Sequence, residues 1–373
     1  MIAYKYKLYS TKRSKHLDAM LNEAAWVWNH ALGLQRRYYK LYKRYIPLAR
    51  MQKKWVRWHK NCRLHSQTVQ EILQRLDNAF IRFFKHIAKR PPKFKKAWMF
   101  KSFIFKQGGY SLSGNAITIN KINKRYKFSL SRPYNHLGRP QTVRIRRSPL
   151  GDFYVILSFR KDAEPIEKTH NGASVGIDFG LKTYMTLSDG RRIQSPQHLK
   201  RALGKKRSAD RRFSKKQKGS NHQKEARRAK NRVEELIKNR RNNWQWHQAH
   251  ELCQMYDHIY IEDLCLIGMS KHWGRKMQDL AHGEFILKLE YLAKRYGVTV
   301  HKIERFFPSS KLCDCGYVHK ELTLHERRWV CPVCGAKHDR DLHAANNILR
   351  QGIAELGSIG KSQISDKVSV PVR

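Results

Sequence analysis

The segment CPVCGAKHDRDLHAANN, which begins at Cys331, constrains the fold of this chain more than any other stretch. Cys331 and Cys334 form a C-x-x-C pair, which is typical of one half of a zinc knuckle. Asp339 and Asp341 follow at the start of a run whose apolar residues recur at helical spacing. Capping of the helix explains one of these carboxylates but does not need both. The sequence therefore predicts a thiolate metal site directly beside an acidic site of another kind.

The other half of the thiolate site is predicted in KLCDCGYVH. Its two cysteines, Cys313 and Cys315, are separated by one residue, which is one fewer than the usual spacing. His319, His325 or His338 could replace one thiolate. We expect four cysteine ligands, because thiolates select zinc and a structural site needs no open position. The seven cysteines and the absence of a recognisable signal peptide favour a reducing compartment and metal binding over disulfides.

The charge of the chain indicates a polyanionic partner. Lys and Arg total 77 against 29 Asp and Glu, which gives a formal net charge of +48. Such an excess repels itself unless it is neutralised, and nucleic-acid phosphates are the usual polyanion. Residues 201–240 alone carry sixteen Lys or Arg and four acids. No run approaches the roughly eighteen apolar residues of a membrane span, so we expect no membrane partner.

Two amphipathic helices and a set of short strands are predicted in the N-terminal part. The first helix runs from about Lys12 to Pro47, and the second begins near Ser66 as a candidate N-cap. Their apolar faces are predicted to be Leu17, Met20, Leu21, Ala24, Trp28, Ala31 and Leu32, and then Val69, Ile72, Leu76, Phe80, Phe83 and Ile87. The runs SFIFKQ, AITIN, YKFSL, TVRIRR and FYVILSFR predict an antiparallel barrel or sandwich, and KDAEPIEKTHNGA predicts a linker.

From Ser174 onward, alternating strands and helices predict a mixed sheet flanked by helices. In SVGIDFG, Asp178 shares a strand face with glycines, which we expect to leave space for a metal and a substrate. In HIYIEDL, Glu262 shares a face with Tyr260, and Asp263 ends the strand. Together with an acid of the HDRD segment, two such strand carboxylates can hold two Mg²⁺ ions about 4 Å apart. One ion would prepare the attacking water and the other would stabilise the leaving oxygen.

Three motifs in this order resemble those of the TnpB family of transposon-encoded RNA-guided nucleases, which are related to type V CRISPR effectors. They are GIDFGLKTYMTLSDG, IEDL, and PSSKLCDC followed by CPVCGAKHDRDLHAAN. The resemblance covers nearly the whole chain and implies a multidomain α+β protein. The implied domains are a wedge β-barrel (1–10 and 91–169), a helical recognition domain (11–90), an RNase H-like (RuvC-like) mixed-sheet nuclease domain (170–310 and 335–352) with a basic helical insert at about 196–250, and a zinc ribbon (311–334). The remaining residues, 353–373, lack periodicity, which predicts a disordered tail.

The resemblance also implies site residues, cofactors and partners. Asp178, Glu262 and Asp341 would be catalytic and bind Mg²⁺ or Mn²⁺. A structural Zn²⁺ would be held by Cys313, Cys315, Cys331 and Cys334. The partners would be a guide RNA from the transposon end and double-stranded DNA with a short adjacent motif. We expect a monomer in a prokaryotic cytoplasm, associated with the nucleoid. The candidates for reading the DNA motif are Tyr39, Arg63, Gln67, Lys106 and Gln107.

Two departures from the family pattern and three alternative functions accompany this interpretation. His343 stands where the family usually has Asn, and the C-x-C pair is short.

The first alternative, an RNA-guided DNA-binding repressor, should have lost one or more of the three acids, and all three are present. A plain RNA-binding protein would not explain Asp178 and Glu262 among small or apolar neighbours. A transposase that joins DNA is compatible with an RNase H-like fold. The sequence favours an RNA-guided DNA endonuclease.

Overall fold

Two structural units, Met1–Ala163 and Glu164–Arg373, make up the chain. The computed structural model describes residues 2–9, 14–58, 62–160, 166, 172–323 and 325–365. The boundary between the units falls inside the predicted linker, most of which lies outside the described residues.

The first unit combines helices with short antiparallel strands. Its helices are α1 (Ser14–Tyr42), α2 (Leu48–Trp58) and α3 (Ser66–Phe84). Its strands are β1 (Ile2–Lys7), β2 (Ser102–Phe105), β3 (Tyr110–Ser113), β4 (Ala116–Ile119), β5 (Lys124–Lys127), β6 (Thr142–Arg147) and β7 (Phe153–Phe159). One sheet has the order β1-β7-β6-β2, and β3, β4 and β5 form a second. The antiparallel pairing is as predicted, and β3 is an additional strand.

The predicted apolar face of the first helix is confirmed, because all seven of its residues are buried in α1. The helix ends at Tyr42 rather than near Pro47, since Lys43 adopts the left-handed conformation with φ 52°. A separate helix, α2, follows, which the sequence pattern does not predict. Its Met51 and Trp55 are buried in the same core. The predicted start at Lys12 lies outside the described residues.

Helix α3 differs from the prediction at both ends. His65 is the N-cap instead of Ser66, and its ring accepts a hydrogen bond from a backbone N–H of the first turn. The helix ends at Phe84, because His86 is left-handed with φ 57°. Ile87 therefore lies beyond the helix and is 63% exposed instead of facing the core. The predicted residues that do face the core are Val69, Ile72, Leu76 and Phe80.

The second unit is built on a five-stranded mixed sheet, as predicted. Its strands β8 (Ser174–Phe179), β9 (Thr183–Leu187), β10 (Arg192–Gln194), β11 (His258–Glu262) and β12 (Thr299–Ile303) have the order β10-β9-β8-β11-β12. β8, β9 and β10 pair antiparallel, whereas β11 pairs parallel with β8 and with β12. The other elements are α4 (His198–Ser214), α5 (Asn221–Met255), α6 (Leu266–Leu280), α7 (His282–Tyr296), β13 (Arg328–Val330), β14 (Lys337–Asp339) and α8 (Arg340–Ser365).

Helices cover both faces of this sheet. The apolar side chains of β8 and β11, such as Val175 and Ile259, pack with residues of α5 and α7. On the opposite face, Tyr260 of β11 packs with Ile348 of α8. The alternation of side chains along the strands thus separates an apolar face from a face that carries Asp178 and Glu262.

Helix α8 extends through Ser365, so the disordered tail predicted from residue 353 is wrong for 353–365. Two contacts hold this end of the helix to the sheet. Gly352 has no side chain, and a Cβ there would lie 2.0 Å from the ring of Tyr260. His301 Nε2 is 2.6 Å from Glu355 Oε2. Residues 366–373 lie outside the described part of the chain.

A glycine in β8 sets the separation between the sheet and α8. A Cβ on Gly176 would lie 2.1 Å from the Ala345 carbonyl oxygen and 2.7 Å from the Leu349 nitrogen. A Cβ on Gly180 would lie 2.6 Å from the Thr183 carbonyl oxygen. The expectation of open space beside these glycines is therefore wrong, because backbone atoms occupy that space. The glycines permit close approach of the backbone.

We predict that Gly176→Ala destabilises the protein by about 3 kcal/mol or more, because backbone atoms of α8 cannot move aside as a flexible side chain would. The matched control is Gly204→Ala in α4, where a Cβ meets no atom within 4 Å. That change should stabilise by about 0.5–1 kcal/mol through helix propensity. Urea unfolding of both variants measures the difference. Equal stability of the two variants would contradict the proposed packing.

Candidate active site and cysteine cluster

The parallel pairing of β8 with β11 brings two acids to the same edge of the sheet. Ile177 is in register with Ile261, so the next residues, Asp178 and Glu262, lie side by side at the ends of their strands. Asp341 lies in the first turn of α8, the helix that covers this face. The structure thus brings together the three acids that the sequence nominates.

Burial disfavours ionisation of the two strand acids, Asp178 and Glu262. Burial raises the pKa of Asp178 well above its ordinary value, and the charges of Glu262 and Asp341 raise it further. Burial also raises the pKa of Glu262. Its carboxylate is partly compensated by Ser309, whose hydroxyl donates a hydrogen bond of 2.5 Å to Oε1. The site therefore concentrates negative charge that a cation would stabilise.

Arg327 is a residue of this site that the sequence motifs do not nominate. Its Nη1 lies 2.6 Å from Asp341 Oδ1, and its charge lowers the pKa of Asp178. Arg327 directly precedes β13, and its carbonyl accepts a hydrogen bond from Arg340 N, which extends the β13–β14 pairing. The signal that could have revealed it is the antiparallel pairing of the segments on either side of the C-x-x-C turn.

The neighbouring acids have other partners. Asp339 Oδ1 accepts a hydrogen bond of 3.2 Å from Leu342 N, and Oδ2 pairs with Arg192 at 2.8 Å. Asp339 is thus the member of the HDRD pair that caps α8. Asp263 forms an ion pair with Arg305.

The four cysteines of the predicted zinc site, two from each half, form one cluster. Their sulfur atoms all lie within 4.8 Å of one another, with Cys313 and Cys334 separated by 3.5 Å and Cys315 and Cys331 by 3.6 Å. The short C-x-C segment still closes a turn, because Gly316 N donates to the Cys313 carbonyl. The donor set and spacing fit a tetrahedral Zn²⁺.

The thiols of the cluster differ in their ease of ionisation. Burial raises the pKa of Cys313 to about 12. Burial acts in the same direction on Cys331, but backbone N–H groups of Cys334 and Val333 outweigh it and lower that pKa to about 7. A cysteine whose thiolate is stabilised by backbone N–H groups is a ready first ligand for a metal.

Of the histidines considered as substitute ligands, His338 alone reaches a cysteine in the described structure. Its Nε2 lies 3.1 Å from Cys313 Sγ. His319 instead packs edge-on against Trp329. Neither His319 nor His325 belongs to a group of potential metal ligands among the described residues.

His343, one of the two departures from the resembled family pattern, links α8 to the cysteine loop. Its Nε2 lies 2.7 Å from the Leu312 carbonyl oxygen. Asn347, one turn further, donates to the same oxygen at 2.8 Å and to the Ser309 carbonyl at 2.8 Å. The loop that carries Cys313 is therefore fixed to the helix that carries Asp341.

The basic segment predicted at 201–240 forms two helices, α4 and α5, which are separated near Gly219 as predicted. Asp210 of α4 pairs with Lys206 at 3.2 Å and with Lys230 of α5 at 2.9 Å, which joins the two helices. Most of the other cations of this hairpin are exposed. The hairpin thus presents a positively charged surface.

The candidates for DNA-motif readout lie in the first unit, and two of them are in contact. Gln67 Oε1 accepts hydrogen bonds from Gln107 N at 3.0 Å and Gly108 N at 2.9 Å. This oxygen is therefore occupied, whereas the side chains of Gln107 and Lys106 are exposed. The remaining candidates, Tyr39 and Arg63, are also exposed.

Two sequence-family models match parts of the chain and define the class of protein. The Cas12f1-like TNB domain matches residues 282–348. The OrfB_IS605 family, described as "Probable transposase", matches residues 158–272. The chain is thus related to transposon-encoded proteins and to Cas12f-type effectors.

Similar full-length proteins identify the family. A Streptomyces pristinaespiralis protein named as an RNA-guided DNA endonuclease is 33% identical over 362 residues, which cover 94% of this chain and 89% of that protein. Escherichia coli K12 InsQ, which is named in the same way, is 27% identical over 88% of this chain and 87% of its own length. The chain belongs to the TnpB family of RNA-guided DNA endonucleases.

A solved structure supports the fold. Cas12f1, in a cryo-EM structure of its complex with sgRNA and target DNA, matches with a TM-score of 0.62 at 15% identity. The match covers 91% of this chain and 83% of that one. In the part of the chain that the structure describes, every helix is too short or too polar to cross a membrane.

We predict that Asp178→Asn raises the melting temperature in a chelating buffer at pH 7. The folded protein holds the Asp178 proton more tightly than the unfolded chain, so wild-type stability falls as pH rises above the ordinary value of 3.8. The variant lacks this loss, and each kcal/mol gained raises the melting temperature by about 2–4 °C.

The matched control is Asp339→Asn, for which we expect a lower melting temperature at pH 7 than that of the wild type. Burial opposes ionisation of Asp339, but Arg192 and the Leu342 N–H outweigh it and lower the pKa. The ionised carboxylate therefore stabilises the fold above the unfolded-state pKa, and this stability is lost as pH falls. Thermal melts between pH 4 and pH 8 separate the two variants. A lower melting temperature for Asp178→Asn would show that its carboxylate is not repelled in the folded site.

Proposed function

We propose that this protein is an endonuclease that uses a guide RNA to select DNA. The proposed active site, which cuts the DNA, consists of Asp178, Glu262 and Asp341. The observation that carries the proposal is the convergence of these three acids from the ends of β8 and β11 and the start of α8. The two relatives with high coverage are named as RNA-guided DNA endonucleases, which supports the same activity.

The acids fit a site for divalent cations. Carboxylate oxygens are the ligands that Mg²⁺ and Mn²⁺ prefer, and the raised pKa values of Asp178 and Glu262 indicate uncompensated charge. Two bound ions would supply an activated water and stabilise the leaving oxygen of a phosphodiester. Ser309 would hold Glu262 in orientation through its hydrogen bond.

Arg327 connects metal binding with substrate binding in this proposal. It pairs with Asp341, and the three acids do not form a group with ligand atoms within 4.8 Å in the described structure. Coordination of a cation by Asp341 would compete with this ion pair. The released guanidinium would then lie at the edge of the site, where it can bind a substrate phosphate.

The cysteine cluster is proposed to hold one structural Zn²⁺. Four cysteine ligands form a closed site, so the metal would stabilise the fold rather than bind substrate. His338 would then donate a hydrogen bond to the Cys313 sulfur rather than coordinate the metal.

The proposed partners are a guide RNA and double-stranded DNA. The net charge of +48 and the exposed cations of α4 and α5 fit phosphate backbones, which proteins contact without reading sequence. Base pairing between RNA and DNA would supply target selection, while the protein recognises a short adjacent motif.

The finer domain assignment is also a proposal. The order β10-β9-β8-β11-β12, with three antiparallel strands followed by two parallel ones, supports an RNase H-like (RuvC-like) nuclease domain at 170–310 and 335–352. The β13–β14 pair and the cysteines support a zinc ribbon at 311–334. In the first unit, the antiparallel sheets would form the wedge barrel, and residues 11–90 the helical recognition domain.

For motif readout, we propose that Gln107 has a larger part than Gln67. Bidentate pairing with adenine needs both the oxygen and the nitrogen of the amide, and Gln67 Oε1 already accepts two backbone hydrogen bonds. Gln107→Ala should therefore relax the preference for the adjacent motif by about 1–3 kcal/mol. Binding to a library of adjacent motifs measures this. An equal loss for every motif would mean that Gln107 does not read bases.

We predict that Asp178→Ala, Glu262→Gln and Asp341→Ala each reduce DNA cutting by about 10³-fold or more, because each removes a ligand and its charge from the metal site. Binding of guide RNA and matched DNA should remain, since base pairing provides the affinity. Gel-shift and cleavage assays with Mg²⁺ measure both properties.

The matched controls are Asp263→Asn and Asp339→Asn, which lie beside the acids but pair with Arg305 and Arg192. Both should keep substantial activity. A wild type that binds matched DNA without cutting it would be a repressor, and joined DNA products would indicate a transposase. If Asp339→Asn is inactive and Asp341→Ala cuts, the third acid is Asp339.

For zinc, we predict one equivalent per chain, which Cys315→Ser and Cys331→Ser should each abolish. Because structural zinc binding contributes folding free energy, both changes should also destabilise the second unit. His338→Gln and Cys265→Ser should retain the metal, since neither residue supplies a ligand in the proposed site. Elemental analysis measures the content. Loss of zinc in His338→Gln but not in Cys315→Ser would indicate a site of three cysteines and one histidine.

A further inference from the structure

A cavity of about 570 Å³ in the second unit lies outside the acid site and the cysteine cluster. It is bounded by the β8–β9 turn, the first half of α4 and the end of α6. Four leucines, Leu181, Leu199, Leu203 and Leu280, give it apolar walls. The volume is in the range of small-ligand sites, so the cavity is large enough for one flat aromatic group such as a nucleobase.

Four cations surround these apolar walls. They are Lys182, Lys200, Arg275 and Lys276, and their side chains are exposed. Among the described residues, none of the four forms an ion pair, whereas Lys206 and Lys230 of the α4–α5 hairpin pair with Asp210. Uncompensated cations around an apolar cavity are complementary to a ligand with an apolar face and a negatively charged backbone.

The lining residues include four cations and one acid, Asp279, so the cavity keeps an excess of positive charge. Asp279 Oδ1 accepts a hydrogen bond of 2.8 Å from Leu199 N, and Oδ2 accepts one of 3.0 Å from Lys200 N. Asp279 thereby fixes the start of α4 against the end of α6. The cavity is formed by elements that are held together before any ligand binds.

The cavity lies near the proposed catalytic edge of the sheet. Leu181 follows Asp178 by three residues in the β8–β9 hairpin, and three residues span at most about 11 Å. A strand whose phosphate reaches the acids would therefore have one of its next nucleotides beside the cavity.

We propose that this cavity holds an unstacked base of the DNA strand that is being cut, with the neighbouring phosphates on Lys182, Lys200, Arg275 and Lys276. The inference rests on the proposed nuclease function. The base gains apolar contact with the leucines, and the cations hold the backbone in register with the acids. Since apolar walls contact any base face, this site would position the strand without selecting sequence.

The test combines a cavity-filling variant with DNA that lacks single bases. In the wild type, an abasic nucleotide at one position near the cut should slow cutting by about tenfold, the usual effect of one lost base contact. Leu203→Trp fills the cavity, so it should cut intact DNA about tenfold more slowly and show no further loss with the abasic strand. Leu236→Trp, at a half-exposed leucine of α5 outside the cavity, should behave as wild type.

A second pair of variants tests the proposal even if Leu203→Trp does not fold. Lys276→Ala removes a cation of the cavity, and Lys271→Ala removes an exposed cation of the same helix that does not line it. Only Lys276→Ala should slow cutting, and its effect should shrink as salt concentration rises. Melting temperatures of all four variants confirm that they are folded.

Photocrosslinking gives a readout that does not need cutting. The guide-loaded protein is mixed with DNA that carries 4-thiothymidine at the sensitive position, in chelating buffer, and irradiated. A crosslink to the peptide that contains Leu199 and Leu203 supports the proposal. The proposal is overturned if the wild type cuts DNA at the same rate whichever nucleotide is abasic. It is also overturned if 4-thiouridine in the guide RNA, rather than 4-thiothymidine in the DNA, crosslinks to this peptide. A wild type that cuts no matched DNA overturns the proposed function itself.

Discussion

The close contact between β8 and α8 is the constraint on which the rest of the second unit depends. Gly176 lets the backbone of α8 lie directly on the strand, where any side chain would meet the Ala345 carbonyl. This contact places the first turn of the helix, with Asp341, beside Asp178 of the same strand. The same helix reaches the cysteine loop through His343 and Asn347. One glycine therefore positions both the acid site and the loop next to it.

Assembling three carboxylates at one edge costs free energy, and the surrounding residues reduce this cost. Burial and repulsion raise the pKa of Asp178, while Arg327 and Arg340 act in the opposite direction. Ser309 donates a hydrogen bond to Glu262. Asp339, two residues before Asp341, stays apart because the α8 N-terminus and Arg192 satisfy it. The local partners thus divide the acids of the HDRD segment into one that stabilises the helix and one that faces the other carboxylates.

The sequence was sufficient for features that depend on spacing along the chain. Alternation in SVGIDFG and HIYIEDL predicts the face that carries Asp178 and Glu262, and the helical period predicts the buried face of α1. Features that depend on contacts distant in sequence were missed. Arg327 joins the site only through the β13–β14 pairing, and the close approach at Gly176 depends on a helix about 170 residues later. The polar end of α8 lacks clear periodicity but is held by Glu355 and Gly352.

The acid site and the cysteine cluster are connected by a short rigid path. Ser309, which donates to Glu262, lies four residues before Cys313. Asn347 donates to the carbonyls of Ser309 and Leu312 and fixes both ends of this segment to α8. A displacement of the cysteine loop would therefore move the Ser309 hydroxyl, and with it the orientation of Glu262. Order in the cysteine loop is thus a condition for order in the acid site, even though the sulfur atoms take no part in the chemistry proposed for the carboxylates.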